Sequence, residues 1–476
     1  MTTNLKVNRL MIGASTLVVL VSTLVLAQLD SHQDVQLSKT QVADVNNWDM
    51  QTIKVSPDGL HVACVGGLEG KKTVYVDSEH GVVYDDIVKG SLSFMSDGKS
   101  VVYAARRKDA WFIVTGDKEG EPYDGIGTGT PMVTPDGKKI AYVVKKNNKA
   151  LAICDGKEGP PYSSIGGLRL SPDGTRIAYI AQKEIRGPVL AVVDGVKGTP
   201  YVDADSLIFS ADSKHVAYLA KTSDKPPLPI LPFKFCVVLD GKPGPEFEDI
   251  DRKSITFSND GKRMAYSARQ GGECFVVLDG ERGDNFRGIG AGSLLFSPDG
   301  KRVAFAAQKE NAWCAVIDHK VCEPYQGVAE IKFSPDGKSF AYVGVNRGVS
   351  TLVIDGKEMC QYPAIAKVLF GPDSKRIALV VFQDRKVAVI LDGNVGKNYD
   401  GFSTMMHFSL SSKHITYAAR TGGKWVVVLD KFEGPPYDTI LDPALGGADI
   451  SFVQETSVRY LALDGSKLVR VEQKLK

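Results

Sequence analysis

An aspartate that recurs along the whole chain carries the most obvious chemical potential in this sequence. It stands in a Ser-Pro-Asp-Gly motif, and a carboxylate could act as a general acid or base or bind a metal. The same residue types also favour a type I β-turn, because Pro presets φ, Ser and Asp oxygens bond nearby N–H groups, and Gly tolerates positive φ. Since the motif returns in most copies, we interpret these residues as turn formers: Asp58, Asp136, Asp173, Asp299, Gly300, Asp336 and Asp373.

Motifs that would indicate a known catalytic or metal site are missing from the sequence. There is no G-x-S-x-G elbow of a serine hydrolase and no P-loop. The seven His residues form no H-E-x-x-H motif, and the seven Cys residues form no C-x-x-C pair. We therefore predict no catalytic residue, no metal ligand and no cofactor.

One cysteine pair has two possible states. Cys314 and Cys322 flank the turn between two predicted strands. In an oxidising compartment they could form a disulfide across the hairpin. Alternatively, they are two separate, half-buried thiols, and the sequence does not decide between these states.

The aspartate motif marks a repeat that fills most of the chain. Counting the degenerate positions Ser411 and Glu455, it occurs in eleven copies spaced 37 to 48 residues apart. The seventh copy predicts strands at 293–296, 302–307 and 312–317, and a weak fourth strand near Tyr325. Four short strands in a repeat of about 40 residues have the size of one propeller blade. The predicted class is all-β.

The motif resembles a known repeat family. Phe296-Ser297-Pro298-Asp299-Gly300-Lys301-Arg302, followed by apolar strands and an Asp-Gly turn such as Asp355-Gly356, is similar to the TolB-type, WD40-like propeller repeat. The resemblance covers about 45 to 475 and implies a β-propeller. The family includes periplasmic TolB and the propellers of prolyl-oligopeptidase-type peptidases. This chain departs from TolB in having more repeats and no evident N-terminal α/β domain.

The number of rings is open at this stage. Propellers typically have 4 to 8 blades, so we expect two propellers of five and six blades, at 45–250 and 251–476, rather than one large ring. The last copy lacks an outermost strand. We expect Asn46 to Asp49 to supply it, so that no sheet edge stays open.

The N-terminus has the pattern of an export signal. Lys6 and Arg9 precede an uncharged stretch at 10–27, so residues 1–27 are either a cleaved signal peptide or a retained membrane anchor. Residues 28–44 are expected to form a polar linker. We predict export to the bacterial periplasm or cell envelope, with membrane contact only through an uncleaved N-terminal segment.

Charge patterning predicts two different faces of the propeller. In the loops between the second and third strands, Lys and Arg outnumber Asp and Glu, whereas the Asp-Gly turns of the opposite face, with residues such as Glu158, are acidic. The candidate partner-binding residues of this basic face are Arg106, Arg107, Lys145, Lys146, Arg385 and Lys386. A proline-rich insertion in the fifth repeat adds apolar candidates: Leu228, Ile230, Leu231 and Phe233.

Together these features favour an exported, non-enzymatic propeller that binds a protein or another envelope component, with a protein or an anionic envelope component as the expected partner. The formal net charge of +2 argues against nucleic acid as a partner. Two alternatives stay open. One is a lyase or hydrolase with a site at the central channel, and the other is a structural surface protein.

Overall fold

The chain folds into antiparallel β-sheets throughout its described length. The computed structural model describes residues 35–223, 233–443 and 449–476. Within these ranges the strands form eleven sheets, and a short 3-10 turn, Met50–Thr52, precedes the first strand of the first blade. The predicted all-β class and the eleven blades are confirmed.

The two central strands of each blade are its longest and most regular elements. The second strands are Val62–Leu68, Val101–Arg107, Ile140–Lys146, Ile177–Gln182, Val216–Lys221, Met264–Gln270, Val303–Lys309, Phe340–Asn346, Ile377–Gln383, Ile415–Thr421 and Ser457–Asp464. The third strands are Lys71–Val76, Ala110–Thr115, Lys149–Cys154, Val189–Val193, Phe235–Leu239, Glu273–Leu278, Ala312–Ile317, Val349–Ile354, Lys386–Leu391, Lys424–Leu429 and Lys467–Leu475.

The first and fourth strands are shorter, and several first strands are interrupted. The first strands are Lys54–Val55, Asp86–Ile87 with Ser93–Phe94, Gly125–Ile126 with Met132–Val133, Ser164–Leu170, Asp203–Phe209, Asp249–Ile250 with Thr256–Phe257, Gly288–Ile289 with Leu295–Phe296, Gly327–Phe333, Ala364–Phe370, Gly401–Phe408, and Thr439–Ile440 with Ser451–Gln454. The fourth strands are Glu79–His80, Lys118–Glu119, Lys157–Glu158, Val196–Tyr201, Lys242–Pro243, Glu281–Arg282, Lys320–Tyr325, Lys357–Tyr362, Asn394–Val395, Phe432–Glu433 and, for the eleventh blade, Val35–Asp44.

The sequence pattern of the second strand explains its place in the blade. In the seventh blade, Val303 to Ala307 is a continuous apolar run, and all five residues are buried. A strand covered on both faces needs no polar side, so it loses the alternation of a half-exposed strand. The second strand of a blade is therefore covered on its two faces by the blades on either side.

The blades form one ring, which corrects the preference for two propellers. Between the fifth and sixth blades, Leu219 and Val237 share a buried core with Ile250 and Tyr266. The expected boundary near residue 250 thus lies inside a packed junction, and 45–250 and 251–476 are two arcs of the same ring. First strands of neighbouring blades, such as Ser164–Leu170 and Asp203–Phe209, lie side by side, and we take them as the channel wall.

The ring closes between its last and first blades. Leu461 and Leu468 of the eleventh blade share a buried core with Ile53 and Val62 of the first. The eleventh blade is completed by Val35–Asp44, which runs antiparallel to the final strand.

The closure by an N-terminal segment is as expected, but the closing strand is a different one. Residues 46–49 lie on the first blade instead, where Trp48 bridges to Gly66. The predicted linker 28–44 is corrected as well, since its residues 35–44 are this closing strand. Residues 1–34, which include the predicted export signal, lie outside the described residues. No helix in the described part of the chain is long and apolar enough to cross a membrane.

Candidate functional site: the basic face

The loops of the basic face lie beside the crossovers that join consecutive blades. After each fourth strand the chain passes directly into the next first strand, and several crossovers carry an Asp. The Asp85 carboxylate accepts a hydrogen bond from the Lys108 backbone N–H at 2.7 Å, and Asp400 accepts one from the Gly422 N–H at 2.9 Å. A crossover carboxylate therefore caps the loop of the following blade.

These same carboxylates neutralise part of the basic face. Lys72 lies 2.6 Å from Asp86, and Lys71 lies 3.1 Å from Asp85. The predicted excess of positive charge was counted over the loops alone. It therefore left out the crossover carboxylates that pair with these lysines. Exposed ion pairs of this kind contribute only about 0–1 kcal/mol each, so their main effect here is on the surface potential.

Three of the six predicted basic residues are ion-paired. Arg107 lies 2.7 Å from Glu119, Lys146 lies 3.4 Å from Glu158, and Lys386 lies 2.5 Å from Asp400. Glu158, which was assigned to the acidic face, therefore reaches a base of the opposite face. At this blade the two faces are not separated by charge.

The other three predicted bases have no carboxylate within 4 Å among the described residues. Lys145 and Arg385 are exposed, and Arg106 is half-buried with its guanidinium 5.7 Å from the centre of the Trp111 ring. The Arg106 Nε is buried without a hydrogen-bond partner. We call Arg106, Lys145 and Arg385 the unpaired bases, although Arg106 is close enough to Asp85 and Asp86 to help lower the pKa of both carboxyl groups.

Apolar side chains are exposed on the same face. Ile185, Val349 and Phe382 lie in or beside its loops and are 84%, 40% and 44% exposed. Phe233, at the end of the insertion, is 40% exposed, and the Lys221 Nζ lies 3.6 Å from its ring centre. The other insertion candidates, Leu228, Ile230 and Leu231, lie outside the described residues.

On the opposite face, the recurring aspartates hold their own turns. Asp299 accepts a hydrogen bond from the Ser297 hydroxyl at 2.5 Å and one from the Lys301 N–H at 3.2 Å. Asp58, Asp136, Asp173 and Asp336 make the same two contacts with their own neighbours. At the Asp373 turn Gly371 replaces the Ser, and the Asp373 carboxylate accepts hydrogen bonds from the Lys375 and Arg376 N–H groups. We call this side the turn face.

Consecutive turns of the turn face are in direct contact and are joined by hydrogen bonds. Gly300 has φ +72°, and a Cβ added there would meet Asp260 of the preceding blade at 3.2 Å. The Arg302 Nε donates to Asp318 of its own blade at 2.7 Å, and its Nη1 donates to the Lys338 carbonyl of the next blade at 2.5 Å. Side chains of the turn face such as Arg302 therefore form hydrogen bonds that connect neighbouring blades.

Hydrogen bonding lowers the pKa of these carboxyl groups, which makes stability depend on pH. Bonds from the Ser171 hydroxyl and the Thr175 N–H lower the pKa of Asp173 to about 2, and the pKa values of Asp58, Asp136, Asp299 and Asp336 are lowered by equivalent bonds. A carboxyl whose pKa is lower in the folded state stabilises the fold above its unfolded pKa. That stabilisation is lost as pH falls through the folded pKa.

We therefore expect the free energy of unfolding to decrease as pH falls from about 4 towards about 2. Urea unfolding at a series of pH values measures this decrease. Asp173→Asn removes one of the contributing groups, so its stability should vary less steeply below pH 4. An identical pH dependence in the variant and the parent would contradict the assignment.

Comparison with known proteins agrees with this architecture. Residues 35–217 match the family model described as the lipoprotein LpqB beta-propeller domain. Over these residues the chain is similar to that family. The propeller fold implied by the repeat motif is confirmed. No curated protein matches the chain.

Solved propellers are similar at low identity. TolB from Acinetobacter baumannii is 17% identical, with 65% of this chain and 79% of that chain covered and a TM-score of 0.26. The propeller domain of Cps50 (Swd1) from Myceliophteria thermophila is 9% identical, covering 56% and 94%, with a TM-score of 0.28. The tricorn protease is 12% identical, covering 84% and 47%, with a TM-score of 0.28.

The channel wall of the propeller carries a polar cluster that sequence reasoning missed. His407 on the first strand of the tenth blade lies 2.7 Å from Asp449 of the eleventh, Nε2 to Oδ1. Lys367 of the ninth blade donates its ammonium to the Thr404 carbonyl, and burial lowers its pKa against the opposing effect of Asp449 and Glu330. A His–Asp pair can accept a proton, and an amine of lowered pKa can act as a nucleophile.

A simple signal could have revealed this cluster. Its members are about one repeat apart, with 42 positions separating His407 from Asp449 and 37 separating Lys367 from Thr404. Residues one period apart occupy equivalent places on adjacent blades of a propeller. Comparing the first strands of successive repeats would therefore have placed these side chains together.

Cys314, which is buried, and Cys322, which is half-buried, are both free thiols in the structure. Burial raises the pKa of both thiols. In the described part of the chain, no group of three His, Cys, Asp or Glu side chains is placed to hold a metal ion.

Proposed function

We propose that this protein is an exported binding propeller whose basic face holds a protein or another anionic component of the cell envelope. The observation that carries the proposal is the combination of unpaired bases with exposed apolar side chains on that face. Arg385 and Phe382 lie in the same loop region, and Phe382 is 44% exposed. Arginine and aromatic residues are enriched where proteins bind each other.

Two further points support an envelope role. The family model that matches residues 35–217 is named for a lipoprotein, and the N-terminal sequence has the pattern of an export signal. Many side chains of the turn face are engaged in blade-to-blade bonds, whereas Lys145 and Arg385 are exposed to solvent. The proposal therefore assigns binding to the basic face.

The unpaired bases provide a direct test. With a partner recovered by cross-linking to intact envelopes, we expect Arg106→Gln, Lys145→Gln and Arg385→Gln together to lower the association rate about tenfold at low salt, because steering by surface charge contributes factors of this size. Raising the salt concentration should slow association by the unmodified protein. Surface plasmon resonance at two salt concentrations measures both effects.

A matched set of paired bases is the control. Arg107→Gln with Glu119→Gln, Lys146→Gln with Glu158→Gln, and Lys386→Gln with Asp400→Asn remove each base together with its carboxylate, so the net charge is unchanged. This set should slow association less. Equal losses from the two sets, or association that does not respond to salt, would count against the proposal.

The channel-wall cluster favours a second candidate function, an enzyme with its site in the channel. In that case Lys367 and the His407–Asp449 pair would act on a substrate inside the ring. The test is turnover of a panel of activated esters and glycosides by the parent, Lys367→Met and His407→Gln. Turnover that is lost in both folded variants would favour the enzyme, and turnover retained in both would eliminate this site.

A further inference from the structure

The junctions between blades repeat one aromatic arrangement. An aromatic residue at the end of a fourth strand meets another in the second strand of the next blade, as in Tyr84 and Tyr103, whose ring centres are 6.1 Å apart at 77°. Edge-to-face pairs of this kind stabilise packed cores. Seven junctions use two tyrosines: Tyr84–Tyr103, Tyr123–Tyr142, Tyr162–Tyr179, Tyr201–Tyr218, Tyr325–Tyr342, Tyr399–Tyr417 and Tyr437–Tyr460.

The tyrosine of the second strand fills a defined space at many of these junctions. Its hydroxyl points at a glycine near the fourth strand of the preceding blade. A Cβ added to Gly159 would lie 3.4 Å from the Tyr179 hydroxyl, and one added to Gly198 would lie 3.5 Å from the Tyr218 hydroxyl. The hydroxyl therefore occupies the volume that the missing side chain leaves.

The junction between the sixth and seventh blades lacks this hydroxyl. Its aromatic pair is Phe286 and Phe305, with ring centres 5.8 Å apart at 80°. A Cβ added to Gly283 would meet only the Val276 carbonyl, at 3.0 Å. A cavity of about 310 Å³ lies here, with an apolar interior formed by Val276, Leu278, Phe286, Val303, Phe305 and Val316.

The mouth of this cavity opens on the turn face, and its charges largely cancel. Arg263 bonds Asp279 at 2.9 Å, and Arg302 bonds Asp318 at 2.7 Å. Lys301 and Asp284, which also line the cavity, carry opposite charges. A molecule held here would meet an apolar interior and a polar rim without strong net charge.

We propose that the junction between blades six and seven is a binding site for a small uncharged molecule that has an aromatic body and one hydroxyl group. An apolar cavity of about 150 Å³ already admits benzene, so this larger one has room for a bicyclic ring. The ligand hydroxyl would occupy the region near Gly283 that a tyrosine hydroxyl fills at other junctions. The site is separate from the basic face, so it adds a function to the one proposed above.

The test uses 2-naphthol as the probe and isothermal titration calorimetry on the whole chain. We expect one site per chain, and at least tenfold weaker binding in Phe305→Tyr, which supplies the hydroxyl found at other junctions. The fold accepts Tyr at this position in other blades, and a thermal melt verifies that the variant is folded. Leu410→Tyr, at a position of the tenth blade that is 90% exposed and outside both proposed sites, should bind like the parent.

Unchanged binding in a folded Phe305→Tyr protein would overturn the proposal, as would the absence of binding in the parent. Naphthalene-2-sulfonate distinguishes the ligand class, because it keeps the ring system and replaces the hydroxyl by a charged group. It should bind at least tenfold more weakly than 2-naphthol. Equal or tighter binding would overturn the assignment to an uncharged ligand.

The preceding junction offers a gain-of-function test. Between blades five and six, Val237, Leu239, Gly244 and Phe247 stand where Val276, Leu278, Gly283 and Phe286 stand in the next repeat. Tyr266 replaces Phe305, and its hydroxyl lies 3.9 Å from a Cβ added to Gly244. Tyr266→Phe should therefore raise the stoichiometry from one to two. A stoichiometry that stays at one would show that the hydroxyl is not what closes these junctions.

Discussion

Leu37→Asp is expected to open the ring, with a loss of at least about 3 kcal/mol in the free energy of unfolding. Leu37 lies in the closing strand and is 4% exposed, within the core shared by the tenth and eleventh blades. A carboxylate at this position would lose its hydration without gaining a partner. Release of the strand would also expose the edge of Lys467–Leu475, and an unpaired edge promotes self-association.

Urea unfolding and size-exclusion chromatography measure the two consequences of Leu37→Asp. The control is Gln36→Asp, one residue away in the same strand, where the side chain is exposed and opposite Lys474. Gln36→Asp should be close to the parent in stability and should elute at the same volume as the parent. If Leu37→Asp were as stable as Gln36→Asp, the closing strand would contribute little to the ring.

Gly137→Ala is expected to cost about 3 kcal/mol or more, because two separate penalties act together. Gly137 has φ +66°, which disfavours any residue with a Cβ. A Cβ there would also lie 2.6 Å from the Ser96 Cα of the preceding blade and would contact the Ser96 backbone nitrogen. Backbone atoms cannot rotate away as a side chain can, so the junction between the second and third blades must shift.

Gly59→Ala separates the two penalties. Gly59 occupies the same turn position in the first blade and has φ +70°, but an added Cβ would meet nothing within 4 Å. It should cost only the conformational penalty, about 1–2 kcal/mol. Urea unfolding of both variants gives the difference, which measures the contact between turns. Equal losses in the free energy of unfolding would mean that the contact between neighbouring turns does not contribute to stability.

Much of the fold could be predicted because the same hairpin pattern recurs along the sequence. The Ser-Pro-Asp-Gly turn and the apolar runs beside it define a hairpin at each copy, and the third strand at 312–317 agrees with the structure. The number of rings could not be read in this way. It depends on whether the fifth and sixth blades bury Leu219 against Ile250, and the same apolar strands would serve one ring or two.

The closing strand was missed for a different physical reason. Val35–Asp44 is rich in polar residues, since only one side of this outermost strand is covered, and its burial alternates at Val35, Gln36 and Leu37. Composition made it resemble a linker, whereas a search for period-two alternation would have suggested a strand.

The candidate site was predicted in part. The loops rich in Lys and Arg follow from the sequence, but the partners of those bases do not. Asp400 lies 14 positions from Lys386, and the two meet because a blade crossover returns to the same face as the preceding loop. The aromatic pairs between blades could not be predicted for the same reason. Phe286 and Phe305 belong to different repeats, and they meet only because the blades pack against each other in the propeller.

The antiparallel pairing of Val35 with Leu475 places both ends of the described chain side by side. The final strand runs from the loop at Ser466 towards the turn face, where the Leu475 N–H bonds the Thr456 carbonyl. A tether, tag or fused domain attached after the final strand would therefore leave the molecule from the turn face. Immobilised in this way, the protein would present Arg106, Lys145 and Arg385 to the solution, away from the support.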